Sequence, residues 1–105
     1  MTLNEYQEKA LTTALPKARD SLAYSIMQCG AEAGEALSHY SKWIRGDCEA
    51  FPKEAIIKEL GDQLWHIALA AKQLGYSLED LAQINLNKLQ QRYKNNTLRG
   101  NGDDR

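Results

Sequence analysis

The sequence predicts an all-α fold, a four-helix bundle-like domain. Apolar residues recur at intervals of three and four through most of the chain, and no stretch alternates with strand period. Proline, glycine and capping residues cut that periodic run into four segments. At 105 residues the chain makes one domain with a modest core, small enough that self-association would help it fold.

The first element fits residues 3–15, LNEYQEKALTTAL, and stops near Pro16, because proline disfavours the helical region in the residue before it. Asp20 is placed to cap a long second helix running to about Arg45, where Gly46 supplies the residue expected past a helix end. Pro52 suits the first turn of a third helix, which carries Ile56, Leu60, Leu64, Ile67, Ala71 and Leu74 at helical spacing and ends at Gly75. Ser77 and Asp80 form a capping box for a fourth helix reaching roughly Lys94. Loops of ordinary length make an antiparallel bundle the most economical packing. Residues 1–95 constitute the domain; residues 96–105 read as a flexible tail that could order on substrate or a neighbouring subunit.

Composition narrows the function. A net charge of −1 argues against a general nucleic-acid or membrane-surface binder, since those carry a basic excess. Cys29 and Cys48 lack a CxxC spacing or a His/Cys cluster and read as reduced thiols. The N-terminus has no apolar secretory core and nowhere do 18 apolar residues run together, so the expected location is the cytoplasm, away from membranes.

Chemistry enters with two acid pairs. Glu32 and Glu35 lie less than one turn apart on the second helix, with Gln28, His39 and Lys42 on the same side; Leu22, Ile26, Ala33, Leu37 and Ile44 form a separate greasy stripe. The third helix repeats the plan with Glu59, Asp62 and His66 on one flank. The intervening residues suffice to finish one helix, turn, and bring the next back antiparallel, so the pairs can meet. Carboxylates converging without a counter-ion raise one another's pKa, so such a cluster implies a bound cation or a proton. Oxygen-only ligation favours Mg²⁺, with Mn²⁺ as a possible substitute. His39 and His66 read as hydrogen-bonding neighbours of the acids rather than ligands. Against this stands the commoner fate of an ExxE pair, a solvated helix face.

On the fourth helix, Leu78, Leu81, Asn85, Lys88 and Arg92 share a stripe that begins apolar and ends polar, followed by Tyr93 and Lys94. Either the helix outruns the bundle there or it overlooks a polar cavity. With Lys42, these cations suit a polyphosphate whose remaining oxygens meet a metal.

GAEAGE followed by Lys42, then KELGDQLWHIALAAKQLG, then NLNKLQQRY together resemble the MazG-like nucleotide pyrophosphohydrolases, an all-α family with an ExxE, linker, ExxD signature. The resemblance implies a metal-dependent hydrolase that cleaves a (d)NTP between the α and β phosphates, giving the (d)NMP and pyrophosphate. It implies Glu32, Glu35, Glu59 and Asp62 as metal ligands, with Glu32 or Glu35 as the general base. Lys42, Asn85, Lys88, Arg92 and Tyr93 would bind the nucleotide, in a homodimer or homotetramer whose sites draw on more than one subunit. Trp43, Tyr24 or Trp65 could stack on a base, although an aromatic on a helix more often packs. The alternative is a catalytically inactive helical homo-oligomeric interaction module. A di-iron carboxylate centre is disfavoured, because neither histidine completes a Glu-x-x-His motif.

Overall fold

The computed structural model describes all residues 1–105 and contains five helices and no strand: α1 (Leu3–Leu11), α2 (Pro16–Arg19), α3 (Leu22–Arg45), α4 (Lys53–Gln73) and α5 (Leu78–Lys94). The element absent from the sequence reading is α2. Pro16 does not only end what precedes it; it occupies the first position of a new turn, where its missing N–H costs nothing. Helix α1 stops at Leu11, earlier than expected, because Thr12 and Thr13 turn their hydroxyls back onto the carbonyls of Lys9 and Ala10. The cap of α3 is Ser21 and not Asp20: the Ser21 hydroxyl accepts the Tyr24 N–H, while Asp20 terminates α2. Gly46 closes α3 with φ 92°, a left-handed conformation that L side chains rarely adopt. Pro52 stands immediately before α4 as its cap residue, and the Ser77/Asp80 capping box opens α5 as read from the sequence.

Helices α3 and α4 form an antiparallel hairpin, the dominant packing in the molecule. Its register is visible in three polar pairs: Ser25 with Gln73, Glu32 with His66, and His39 with Glu59. Each step is seven residues forward along α3 and seven back along α4. The seam between the long helices is therefore polar. Helix α1 packs on α4 and α5, and α5 packs on α4 and α1 without comparable packing along α3.

Two glutamines join the pieces. Gln7, 5% exposed, donates its amide to the carbonyls of Ala68 (3.0 Å) and Tyr76 (3.2 Å) and accepts the N–H of Leu78 at 3.2 Å. One side chain thus satisfies backbone groups of α4, the following loop and α5. Gln73 does the same elsewhere, donating to the carbonyls of Ala18 and Arg19 while accepting from the buried Ser25 hydroxyl at 2.8 Å.

The apolar core is thin. Among large apolar residues only Leu69 and Leu78 are buried; the rest of the core is Ala10, Ala68, Ala70 and Ala71. The greasy stripe of the second predicted helix points outward: Ile26 is 57% exposed, Leu37 71% and Ile44 70%. The acid-bearing face takes the interhelical position instead. The radius of gyration of 16.6 Å exceeds the value of about 13 Å expected for a compact domain of this length.

Replacing Gln7 by Leu removes three interhelical hydrogen bonds and leaves the buried Leu78 N–H without a partner, and should lower unfolding stability in urea by about 1 to 3 kcal/mol. Stability within about 0.5 kcal/mol of the native chain would show that these bonds do not hold the helices together.

Candidate functional site

The hairpin register brings the two acid pairs to one level. Glu32 from α3 and Glu59 and Asp62 from α4 each place a carboxylate oxygen within 4.8 Å of the others. Glu35 stands outside that triad, near enough for its charge to act on Glu32. Burial raises the pKa of Glu32 above its ordinary 4.5, and a hydrogen bond with Glu59 and the charges of Asp62, Glu59 and Glu35 push it further the same way. No lysine or arginine forms an ion pair with the triad.

Histidines flank it on both sides. His39 Nε2 lies 3.2 Å from Glu59 Oε1, and His66 Nε2 lies 3.8 Å from Glu32 Oε1. His66 is 7% exposed and edge-on to the rings of Tyr24 and Trp65, at centroid separations of 6.0 and 4.8 Å. Burial lowers its pKa, opposed by the charge of Asp62. Trp65 in turn donates its indole N–H to Thr13 Oγ1 at 2.9 Å and to the Ala10 carbonyl at 3.2 Å, which ties the end of α1 to the same region. Trp65 is a packing residue here. Tyr24 packs on His66, and Trp43 belongs to a trio of edge-on rings with Tyr40 and Phe51 at the far end of the hairpin.

None of the expected nucleotide-binding residues is bonded to the acids: no hydrogen bond or ion pair joins Lys42, Asn85, Lys88, Arg92 or Tyr93 to the four carboxylates. Lys42 is exposed on the last turn of α3, where its charge acts on Asp47. Asn85 and Lys88 line an apolar cavity of about 420 Å³ with Leu3, Leu64, Ile67 and Leu81. Tyr93 is 77% exposed and lines a second cavity with Leu89 and Leu98.

Arg92 is buried, and its partner is in the tail. Its Nη2 donates to the Asp103 carbonyl at 2.9 Å and meets Asp103 Oδ1 at 3.3 Å; Lys88 Nζ reaches the same oxygen, also at 3.3 Å. These two cations hold the Asp103 carboxyl below its ordinary value. Residues 96–105 thus fold back on α5 of their own chain. Arg105 donates to the carbonyls of Thr97, Leu98 and Gly102, and Gly100 turns the chain there at φ 135°, a conformation that L side chains rarely adopt. The sequence signals for this were two glycines and an acidic pair just beyond a basic helix end. Gln7 and Gln73 carried no signal beyond their helical positions.

An all-helical hairpin that converges carboxylates from two antiparallel helices defines a class of helical carboxylate-cluster proteins. Residues 20–97 match the MazG nucleotide pyrophosphohydrolase domain, and the chain belongs to that family. It is also similar to the Gene 37 protein of Mycobacterium phage L5, 36% identical over 114 aligned positions that cover all of both chains. No solved structure matches it.

Because folding raises the Glu32 pKa, this carboxyl favours the folded state most below its ordinary 4.5, and that contribution is lost as pH rises toward the raised value. Glu32→Gln should therefore stabilise the metal-free protein at neutral pH, and the gain should shrink toward zero by about pH 4. Thermal unfolding midpoints across that range check it; a gain independent of pH would show that Glu32 does not titrate out of line.

Proposed function

We propose that this protein is a metal-dependent nucleoside triphosphate pyrophosphohydrolase, cleaving a (d)NTP between the α and β phosphates to give the (d)NMP and pyrophosphate, in nucleotide-pool control or housecleaning. The observation that carries the reading is the convergence of Glu32, Glu59 and Asp62 within 4.8 Å, at positions of the ExxE and ExxD pairs. An all-oxygen set of this kind fits Mg²⁺, with Mn²⁺ as a substitute.

Glu32, Glu59 and Asp62 would hold the ion, with Glu35 completing the acidic shell. Mg²⁺ held there neutralises phosphate charge and lowers the pKa of water. Glu32 or Glu35 would accept the proton of the water that attacks the α phosphorus. Lys42, Lys88 and Arg92 stabilise charge displaced onto the leaving pyrophosphate, while Asn85 and Tyr93 contact the nucleotide.

In this reading the functional unit is a homodimer or homotetramer whose sites draw on more than one subunit. Two quantities support this. The accessible surface is 7946 Å², against about 5,900 Å² expected for a folded monomer of 11.8 kDa. The excess of about 2,000 Å² matches one chain's share of an obligate interface. The outward apolar residues of α3, α4 and α5 supply the surface to fill it.

Pyrophosphate release should require Mg²⁺ or Mn²⁺ and stop with EDTA, tested over canonical and modified NTPs and dNTPs. Glu59→Gln and Asp62→Asn should each lower turnover roughly a hundredfold or more while leaving helicity intact, and Lys42→Ala should lower kcat/KM by about 10- to 100-fold, the worth of a charge-assisted contact. Full turnover in either acid variant would remove the metal assignment. A folded oligomer silent across the whole panel would favour the inactive interaction module. Light scattering should return at least twice 11.8 kDa in solution; a monomeric mass would refute the shared site.

A further inference from the structure

Both long helices carry the same device. Glu32 and His39 on α3 are seven residues apart, and so are Glu59 and His66 on α4. Because the helices run antiparallel in a seven-residue register, each glutamate meets the histidine of the opposite helix. The two Glu–His contacts are crossed, related by an approximate two-fold axis through the hairpin.

We propose that His39 and His66 are positioning residues, each holding the opposite helix's glutamate so that one carboxylate oxygen is fixed by imidazole and the other is left for the cation. This rests on the metal reading given above. Neither histidine belongs to the converging oxygen set; each touches a single member of it from outside. For His39 the contact is a hydrogen bond of 3.2 Å, to a carboxylate whose side chain is only 17% exposed.

The buried ring of His66 supplies a second observation. Its Nδ1 is shut off from solvent with no hydrogen-bond partner. A buried N–H without an acceptor costs far more than a buried lone pair, so the proton belongs on Nε2, the nitrogen aimed at Glu32. Tyr24 and Trp65 pack against the ring on its other sides and fix that aim. At 3.8 Å, a small shift of Glu32 completes the bond. Such outer partners of ligating carboxylates typically carry 10- to 100-fold in metal affinity.

The test is Mn²⁺ binding to the full chain without nucleotide, followed by electron paramagnetic resonance of the free ion. His39→Ala should weaken binding roughly 10- to 100-fold with helicity unchanged, and His39→Gln, which retains an N–H donor, should recover most of it. His66→Ala and His66→Gln should behave in the same order. His39 is the safer site because it is partly exposed, so misfolding at His66 leaves the test intact. Full Mn²⁺ affinity in His39→Ala, beside lost affinity in Glu59→Gln, would overturn the positioning role while the metal site stands. Equal loss in His39→Ala and His39→Gln would make the imidazole a ligand and overturn it too. Unchanged affinity in Glu59→Gln would sink the metal reading itself.

Discussion

Like charge brought together between two helices is the constraint the rest of this structure answers to. Glu32 meets the charges of Glu59 and Asp62 across the α3–α4 seam, with no lysine or arginine paired to any of the three. The hairpin is held by the Ser25–Gln73 bond beyond the acids and by histidine contacts to the acids themselves. Ser25 with Gln73 lies on one side of the Glu32–His66 level, and His39 with Glu59 on the other. A polar seam of this kind contributes little hydrophobic burial, which is why the core retreats to small alanines and Leu69 and Leu78.

The outward apolar surface follows from the same choice. If the interhelical face is given to carboxylates, the greasy stripe of α3 must look elsewhere, and it looks away from the chain. Carboxylates and exposed apolar residues thus occupy different faces of one helix. The small core is supplemented by buried backbone hydrogen bonds from Gln7 and Gln73, whose amides link segments far apart in sequence.

Much of this was legible in the residues. The long helices, their Gly46 stop and the Ser77 capping box follow from local chemistry, and the meeting of Glu32 with Glu59 and Asp62 follows from helical spacing and an adequate connection. What escaped depends on tertiary context. A stripe of Ile26, Leu37 and Ile44 is amphipathic whether it faces its own core or open surface, so periodicity could not say which side of α3 would be interior. Asp20 and Ser21 are both good caps, and only the short turn begun by Pro16 decides between them. The pairing of Arg92 with Asp103 is a non-helical contact set by the path of the tail, which no repeat or period encodes.

The clasps also bear on where this domain ends. The family match covers residues 20–97, yet Gln7 lies before it, Gln73 reaches back to Ala18 and Arg19, and Asp103 lies beyond it. A fragment cut at the matched boundaries would keep every acid of the cluster. It would also remove Gln7 from the Tyr76 carbonyl and the Leu78 N–H, and Asp103 from the buried Arg92 guanidinium. The hydrogen-bonded unit of this chain is wider than its family signature, extended at both ends by side chains that lie outside the acid cluster.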